Sequence, residues 1–264
     1  MKVIHLSDIH LGPPGMTSCG LDPYDRLARA FGHIAEHHRD AALVVISGDL
    51  TEYAEREAYA RLQQALTMLP MPVRLMVGNH DDRDVFFKVF RDHPRDAEGY
   101  VNHSADFREG RFIFCDTVEK GRDDGSFGPD RLRWLTAQLE GCDRAFLFFH
   151  HNPLHTGDPS ADSDSLRDAD QGPLRDLLKA NAAKVAHLFF GHVHASLCGT
   201  MGGIAFSGVP STMMQRIPNL SPAARTAIGP LDPSYRVVLI RGDDVVIHQI
   251  PFAYDGELDW FANA

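Results

Sequence analysis

The chain has 264 residues, 44% hydrophobic and 23% charged, with a formal net charge of -10. At about 150 residues per domain this length allows one or two domains, and no apolar run approaches the roughly 18 residues of a membrane span. The acidic balance argues against broad nucleic-acid binding, which uses basic surface, but not against an anionic substrate held by cations.

In chain order, residues 3–6 read as a buried strand that runs into Ser7-Asp8-Ile9-His10. Residues 24–38 follow as an amphipathic helix with Leu27, Phe31 and Ile34 on one face. A second buried strand, 43–46, runs into Ser47-Gly48-Asp49-Leu50, and a helix over roughly 55–69 is stopped by Pro70 and Pro72. The third strand, 73–77, runs into Gly78-Asn79-His80-Asp81 and a short helix at 85–90. Residues 100–103 and 111–115 read as paired strands, and Pro129 opens a helix through Leu139. Strand 145–149 leads into His150-His151-Asn152-Pro153, a helix lies near 173–180, and strand 185–190 leads into Gly191-His192-Val193-His194. After Gly199 come strands without helices, at 204–207, 236–241 and 245–250. This order predicts an α/β layered core carrying a second sheet, with residues 1–264 as a single domain. The irregular stretches 152–172 and 210–234 are expected to cover a site.

Seven metal-capable side chains therefore sit in five clusters, each just after an apolar run: Asp8, His10, Asp49, Asn79, His150, His192 and His194. Ligand sites in open α/β sheets lie beyond the carboxyl ends of the strands. Gly48, Gly78 and Gly191 each precede a ligand, where a sharp turn and close backbone approach are needed. Residues two apart on a strand-like segment point to one side, which suits Asp8 with His10 and His192 with His194. Oxygen and imidazole donors without thiolate suit Mn, Fe, Co or Zn and argue against a closed structural zinc site. A carboxylate such as Asp49 can bridge two ions about 3.5–4 Å apart, and a shared hydroxide then serves as nucleophile. Other histidines read differently. His33 and His37 fall on a solvated helix face, His5 on the first strand as a buried hydrogen-bonded residue, and His155 in a cover where it can meet substrate. Cys19, Cys115, Cys142 and Cys198 lack C-x-x-C spacing, which reads as free thiols in a cytoplasmic protein.

The set D-x-H, G-D, G-N-H-D, H-H-x-P and G-H-x-H over residues 8–194 resembles the calcineurin-like metallophosphoesterases. Ile4-His5-Leu6-Ser7-Asp8-Ile9-His10 and Phe149-His150-His151-Asn152-Pro153-Leu154 are most similar to the bacterial cyclic-nucleotide and glycerophosphodiester phosphodiesterases of class III. The resemblance implies a four-layer αββα sandwich with a dinuclear metal site at the strand C-terminal ends. It implies that Asp8, His10, Asp49 and His194 hold one ion, and that Asp49, Asn79, His150 and His192 hold the other. It further implies that His80 faces the scissile phosphate as the catalytic group, with Asp81 orienting it and His151 as a neighbour. Homo-oligomers are also common in that group. Two departures separate the chain from other branches. Leu50-Thr51-Glu52-Tyr53 lacks the Arg of the phosphoprotein phosphatases, and Glu52 stands where purple acid phosphatases carry Tyr.

The expected function is hydrolysis of small phosphodiesters, cyclic nucleotides or glycerophosphodiesters, by two divalent ions. The alternatives are a phosphomonoesterase, pyrophosphatase or nuclease on the same centre, or a scaffold without catalysis. The partner is a small-molecule phosphodiester, with neither a membrane span nor nucleic acid expected.

Overall fold

Strand-to-strand alternation builds the core. In the computed structural model, which describes residues 1–221 and 226–256, strands β1 (Lys2–Leu6), β2 (Leu43–Ser47) and β3 (Val73–Met76) pair in parallel. Helices α1 (Pro23–His37) and α2 (Arg56–Ala65) connect them, and α3 (Arg83–Val89) follows β3. β4 (His103–Phe107) and β5 (Gly110–Cys115) begin the second sheet; α4 (Pro129–Glu140), β6 (Ala145–Phe149), α5 (Pro159–Ser163), α6 (Asp168–Ala180) and β7 (Val185–Phe190) continue it. β8 (Leu197–Met201) and β9 (Ile204–Gly208) complete it, β10 (Gln215–Ile217) and β11 (Ala227–Gly229) form a hairpin, and β12 (Ser234–Arg241) and β13 (Asp244–Pro251) return to the first sheet. The two main sheets run β13-β12-β1-β2-β3 and β4-β5-β6-β7-β9-β8. β12 pairs antiparallel with β1, so the C-terminal strands finish the sheet that the N-terminus begins.

Period-2 side chains put every central strand between two apolar layers. Phe112 and Phe114 of β5, Phe146 and Phe148 of β6, and Phe189 of β7 meet Val3, Val45 and Val238 between the sheets. Phe148 stacks on Phe189 with centroids 4.7 Å apart, so truncating it would cost about 3–5 kcal/mol. The intervening residues face helices: Ile4, Leu6, Val44 and Ile46 pack with Leu27, Phe31 and Ile34 of α1. On the other sheet Ile113, Leu147 and Leu188 pack with Leu135 of α4 and Leu174 of α6. The result is four layers, helix–sheet–sheet–helix. Helix α1 starts where Asp22 accepts from the Tyr24 N–H at 2.8 Å and Pro23 occupies the first turn.

Several boundaries differ from the sequence reading. β4 begins at His103 rather than ending there; as an edge strand it alternates exposed Ser104 and Asp106 with His103, Ala105 and Phe107, and gives no apolar run. Tyr100 instead lies against the guanidinium of Arg131, 4.3 Å from its ring centroid. Segment 152–172 is partly helical, holding α5 and the first turn of α6, with Pro173 inside the helix rather than at its start. β8, absent from the sequence reading, is exposed over Cys198, Gly199 and Thr200. Within 210–234, part of the expected cover (222–225) lies outside the described residues, and the rest carries the β10–β11 hairpin.

Candidate metal centre

The parallel strands β1, β2, β3, β6 and β7 end at one edge, and the loops leaving them interlock. The amide of Asp8 donates to Gly48 O (3.0 Å), those of Ile9 and His10 to Asp49 O (2.9 and 3.0 Å), and that of Gly191 to His150 O (3.1 Å). Asp8, His10, Asp49, His192 and His194 all have left-handed backbones, with φ of 57, 52, 47, 63 and 50°. For non-glycine residues this conformation is unfavourable by of order 1–2 kcal/mol each, and such outliers concentrate at functional sites. The finding also corrects the expected geometry. Asp8 and His10 reach one donor set from left-handed positions beyond the end of β1, while His192 and His194, also left-handed, lie past the end of β7 and serve different sets.

The structure brings all seven expected ligands together. Donor atoms of Asp8, His10, Asp49 and His194 lie within 4.8 Å of one another, all four residues buried. His194 Nε2 stands 3.3 Å from Asp8 Oδ1 and 3.0 Å from His10 Nε2. On the other side Asn79 Oδ1 stands 3.2 Å from His150 Nε2 and 3.0 Å from His192 Nδ1. Asp49 divides its oxygens between the two sets, Oδ1 at 3.3 Å from His150 Nε2 and Oδ2 at 3.7 Å from His10 Nε2.

Hydrogen bonds behind these rings fix which nitrogen is bare. His10 Nδ1–H donates to Glu52 Oε2 (2.7 Å), His150 Nδ1–H to Ser47 O (2.9 Å), and His194 Nδ1–H to Met214 O (3.0 Å). All three acceptors lack a proton to give, so each imidazole turns an Nε2 lone pair inward. His10 Nε2 and His194 Nε2 then face each other with lone pairs, which requires a proton or cation between them. His192 Nε2 is buried with no hydrogen-bond partner. The electrostatics agree. Burial pulls His150 down, but Asp49 overrides it and raises the ring to about 9. Burial of Asp49 is likewise overridden, by His150, and its carboxyl is held well below the usual range. Anions this deeply buried call for positive charge, and a divalent cation would replace the proton. The donor set and its bare nitrogens fit divalent metal.

Glycine spacing supports the same crowding. A Cβ on Gly78 would meet Asp49 Oδ1 at 2.2 Å and His150 Nε2 at 2.6 Å, and one on Gly191 would meet Ser7 Oγ at 2.0 Å. Neither position has room for any side chain.

His80 reaches the site from the Asn79 loop. Its N–H donates to Asp49 Oδ1 (3.0 Å), and its Nδ1–H to the Glu52 carbonyl (2.8 Å), leaving Nε2 free. Its ring centroid is 4.8 Å from that of His10. Asp81 does not orient His80, contrary to the expectation. Its carboxylate accepts from Gly78 N (2.9 Å), Leu50 N (3.0 Å), Thr51 N (3.2 Å), Thr51 Oγ1 (3.1 Å) and the Tyr59 hydroxyl (2.8 Å). It ties the two ligand loops together from beneath, because its backbone position turns it inward, opposite to His80. The residue that sequence reasoning missed is Glu52. Its carboxylate holds His10 and its carbonyl holds His80, and only a D-x-x-E spacing after the bridging Asp49 hinted at it.

The remaining histidines fall outside the donor set. His151 lies beside His150 and His192, but Thr117 Oγ1 (2.7 Å) and Asp123 O (3.0 Å) occupy both its nitrogens, so Asn79 completes that set instead. His5 is buried and bonded to Ser47 Oγ at 2.8 Å. His155 turns away to Asp168, 2.9 Å from its Nε2. His33 bonds Tyr235 through Nδ1 at 2.7 Å, half-buried rather than solvated, while His37 is exposed.

The family model of the calcineurin-like phosphoesterases matches residues 1–196. A probable cyclic nucleotide phosphodiesterase of Rhodopseudomonas palustris is 34% identical over 263 residues, covering 98% of this chain and 95% of the relative. The 3',5'-cyclic adenosine monophosphate phosphodiesterase CpdA of Pseudomonas aeruginosa is 25% identical, covering 91% and 86%. Among solved structures, purple acid phosphatase PPD1 of yellow lupin superposes with a TM-score of 0.65 at 13% identity, over 98% of this chain and 52% of that one, which is a likeness of fold. Its four layers, its interlocked ligand loops and these matches place the chain in the calcineurin-like phosphoesterase family.

Proposed function

We propose that this chain hydrolyses small phosphodiesters at two divalent cations, with residues 1–264 serving as one catalytic unit. The observation that carries this reading is Asp49, whose two oxygens face two separate donor sets. Asp8, His10 and His194 would hold one ion and Asn79, His150 and His192 the other, with Asp49 shared. Oxygen and nitrogen donors without thiolate suit Mn, Fe, Co or Zn. Bound there, such ions polarise phosphoryl oxygens and lower the pKa of water to near neutrality. His80 supplies what the ions do not. With Nδ1–H committed to the Glu52 carbonyl, a proton on Nε2 is positioned to pass to the departing alkoxide. Asp81 is a positioning residue for the loops rather than a proton carrier.

The diester preference rests on Leu50-Thr51-Glu52-Tyr53, which brings no guanidinium against a dianionic phosphate. Similarity to relatives named for cyclic nucleotides supports a small diester of that kind, with glycerophosphodiesters as the other class. Four free cysteines and the lack of any helix long and apolar enough to cross a membrane, among the described residues, fit a cytoplasmic site of action. The test compares bis(p-nitrophenyl) phosphate with p-nitrophenyl phosphate in Mn²⁺. The diester is expected to have the higher kcat/KM, and a higher value on the monoester would overturn the preference.

A further inference from the structure

The ligand loops are not held alike. Asp8 and Asp49 follow β1 and β2, and bonds from the second sheet fix both strand ends. His192 N donates to Asp8 Oδ1 and Oδ2 (3.1 Å each), Ser211 Oγ to Asp8 O (2.7 Å), and His150 Nδ1–H to Ser47 O (2.9 Å). Asn79 follows β3, the outer strand of its sheet. Its neighbours bond on the first sheet's side: Gly78 N to Asp81, His80 N to Asp49, and Asp81 to Leu50 N. Yet the ligands that Asn79 must meet, His150 and His192, come from the second sheet.

One side-chain pair crosses that gap. Arg83 opens α3, just past the Asn79 loop. Its Nε donates to Asp116 Oδ2 (2.6 Å), and its Nη2 to Asp116 Oδ1 (2.7 Å) and to Val118 O. Asp116 follows β5, whose last residue, Cys115, is in register with Phe149 of β6, the residue before His150. The carboxylate therefore stands at the strand end beside the one that carries His150. It is buried, and it also accepts from Val101 N (2.8 Å) and Val118 N (2.9 Å). Next in the chain, Thr117 Oγ1 bonds His151 Nδ1 at 2.7 Å. A two-pronged guanidinium–carboxylate contact fixes direction as well as distance, whereas a Lys supplies only a point charge. A buried pair adds little net stability over an apolar replacement, so what the fork contributes is position.

We propose that the Arg83–Asp116 fork is a positioning device for one of the two ions: it holds the Asn79 loop within reach of His150 and His192, and leaves the Asp8, His10 and His194 set alone. The inference rests on the two-ion reading above and distinguishes its two sites. Asp81 ties together loops of one sheet; the fork ties the outermost of those loops to the other sheet.

Two variants break the fork without leaving a lone buried charge. Arg83→Lys keeps the charge and loses the paired donors, and Arg83→Met with Asp116→Asn removes both charges. Stepwise Mn²⁺ binding to metal-free protein is followed by calorimetry, in the wild-type and the Asn79→Ala backgrounds, with circular dichroism as the check on folding. In the wild-type background one binding step is expected to weaken about tenfold or more, the range for partners behind metal ligands, while the other holds within about threefold. In the Asn79→Ala background the remaining step should shift by less than about threefold, because the coupled partner is already gone. Equal weakening of both steps, or an undiminished effect in Asn79→Ala, overturns the assignment, since a general loosening of the fold would produce either. So does a wild-type isotherm in both variants. A wild-type chain that takes up one ion or none overturns the two-ion reading, and the role of the fork with it.

Discussion

Replacing Glu52 by Gln isolates the hydrogen bond behind one ligand. The Glu52 carboxylate sits 2.7 Å from His10 Nδ1 and is only partly exposed. Burial pulls the His10 ring down, and Glu52 with Asp49 more than restores it, so the carboxylate raises the basicity of the nitrogen facing the metal. A neutral amide keeps the shape and removes that charge, while the backbone carbonyl still holds His80. Loss of such an outer partner typically weakens metal affinity or activity about 10–100-fold, or about 1.4–2.8 kcal/mol. Activity against Mn²⁺ concentration reads this directly: the half-saturating concentration should rise by that factor, with kcat at saturation within about threefold of wild type. An unchanged Mn²⁺ dependence would refute the role given to the Glu52 carboxylate.

Other substitutions separate the parts of the site. His80→Ala should keep its metal by elemental analysis and lose about 10²–10⁴-fold in kcat, the usual range for a proton donor; loss of metal would contradict the role. Gly78→Ala forces a methyl group to within 2.2 Å of Asp49 Oδ1, and should lose metal and activity together, whereas a metal-replete active variant would show that the loops can separate. Asp81→Ala strands the donors of Gly78, Leu50, Thr51 and Tyr59, and should lower stability by about 1–3 kcal/mol or more in urea unfolding. A variant as stable as wild type would refute its loop-tying role. Burial holds His103 to about 3 and His187 to about 4. Between those values and 6.5 the unfolded chain takes up protons that the folded one does not, so stability falls as pH drops through that window. Each contributes about 1.4 kcal/mol per pH unit. In chelator, His103→Phe should flatten the pH slope by that amount from pH 6 to 4.5, and a wild-type slope would contradict it.

What the sequence disclosed depended on whether a residue's role follows from local pattern. Val44, Ile46, Phe146 and Phe148 lie in apolar runs because both faces of their strands are buried, so strands and sheet edge were legible. Ligands such as Asp49 and His150 were legible because they follow those runs directly. Hydrophobic periodicity reports burial and not φ, so the left-handed turns at Asp8, His10, His192 and His194 were invisible. Asp81 and His80 are neighbours in sequence but diverge in space, and adjacency in a motif misassigned Asp81. Glu52 acts through His10 and His80, 42 and 28 residues away. Such contacts leave no local trace.

Metal titration of activity tests the central claim most directly. Chelated, metal-free protein receives Mn²⁺ in measured equivalents while bound metal and bis(p-nitrophenyl) phosphate hydrolysis are followed, for wild type and for Asp49→Asn. The account predicts that wild-type activity rises to a plateau as a second ion binds per chain, and that Asp49→Asn retains fewer than two ions and little activity. Full activity with one ion per chain, or an Asp49→Asn protein that holds two ions and turns over normally, would contradict it.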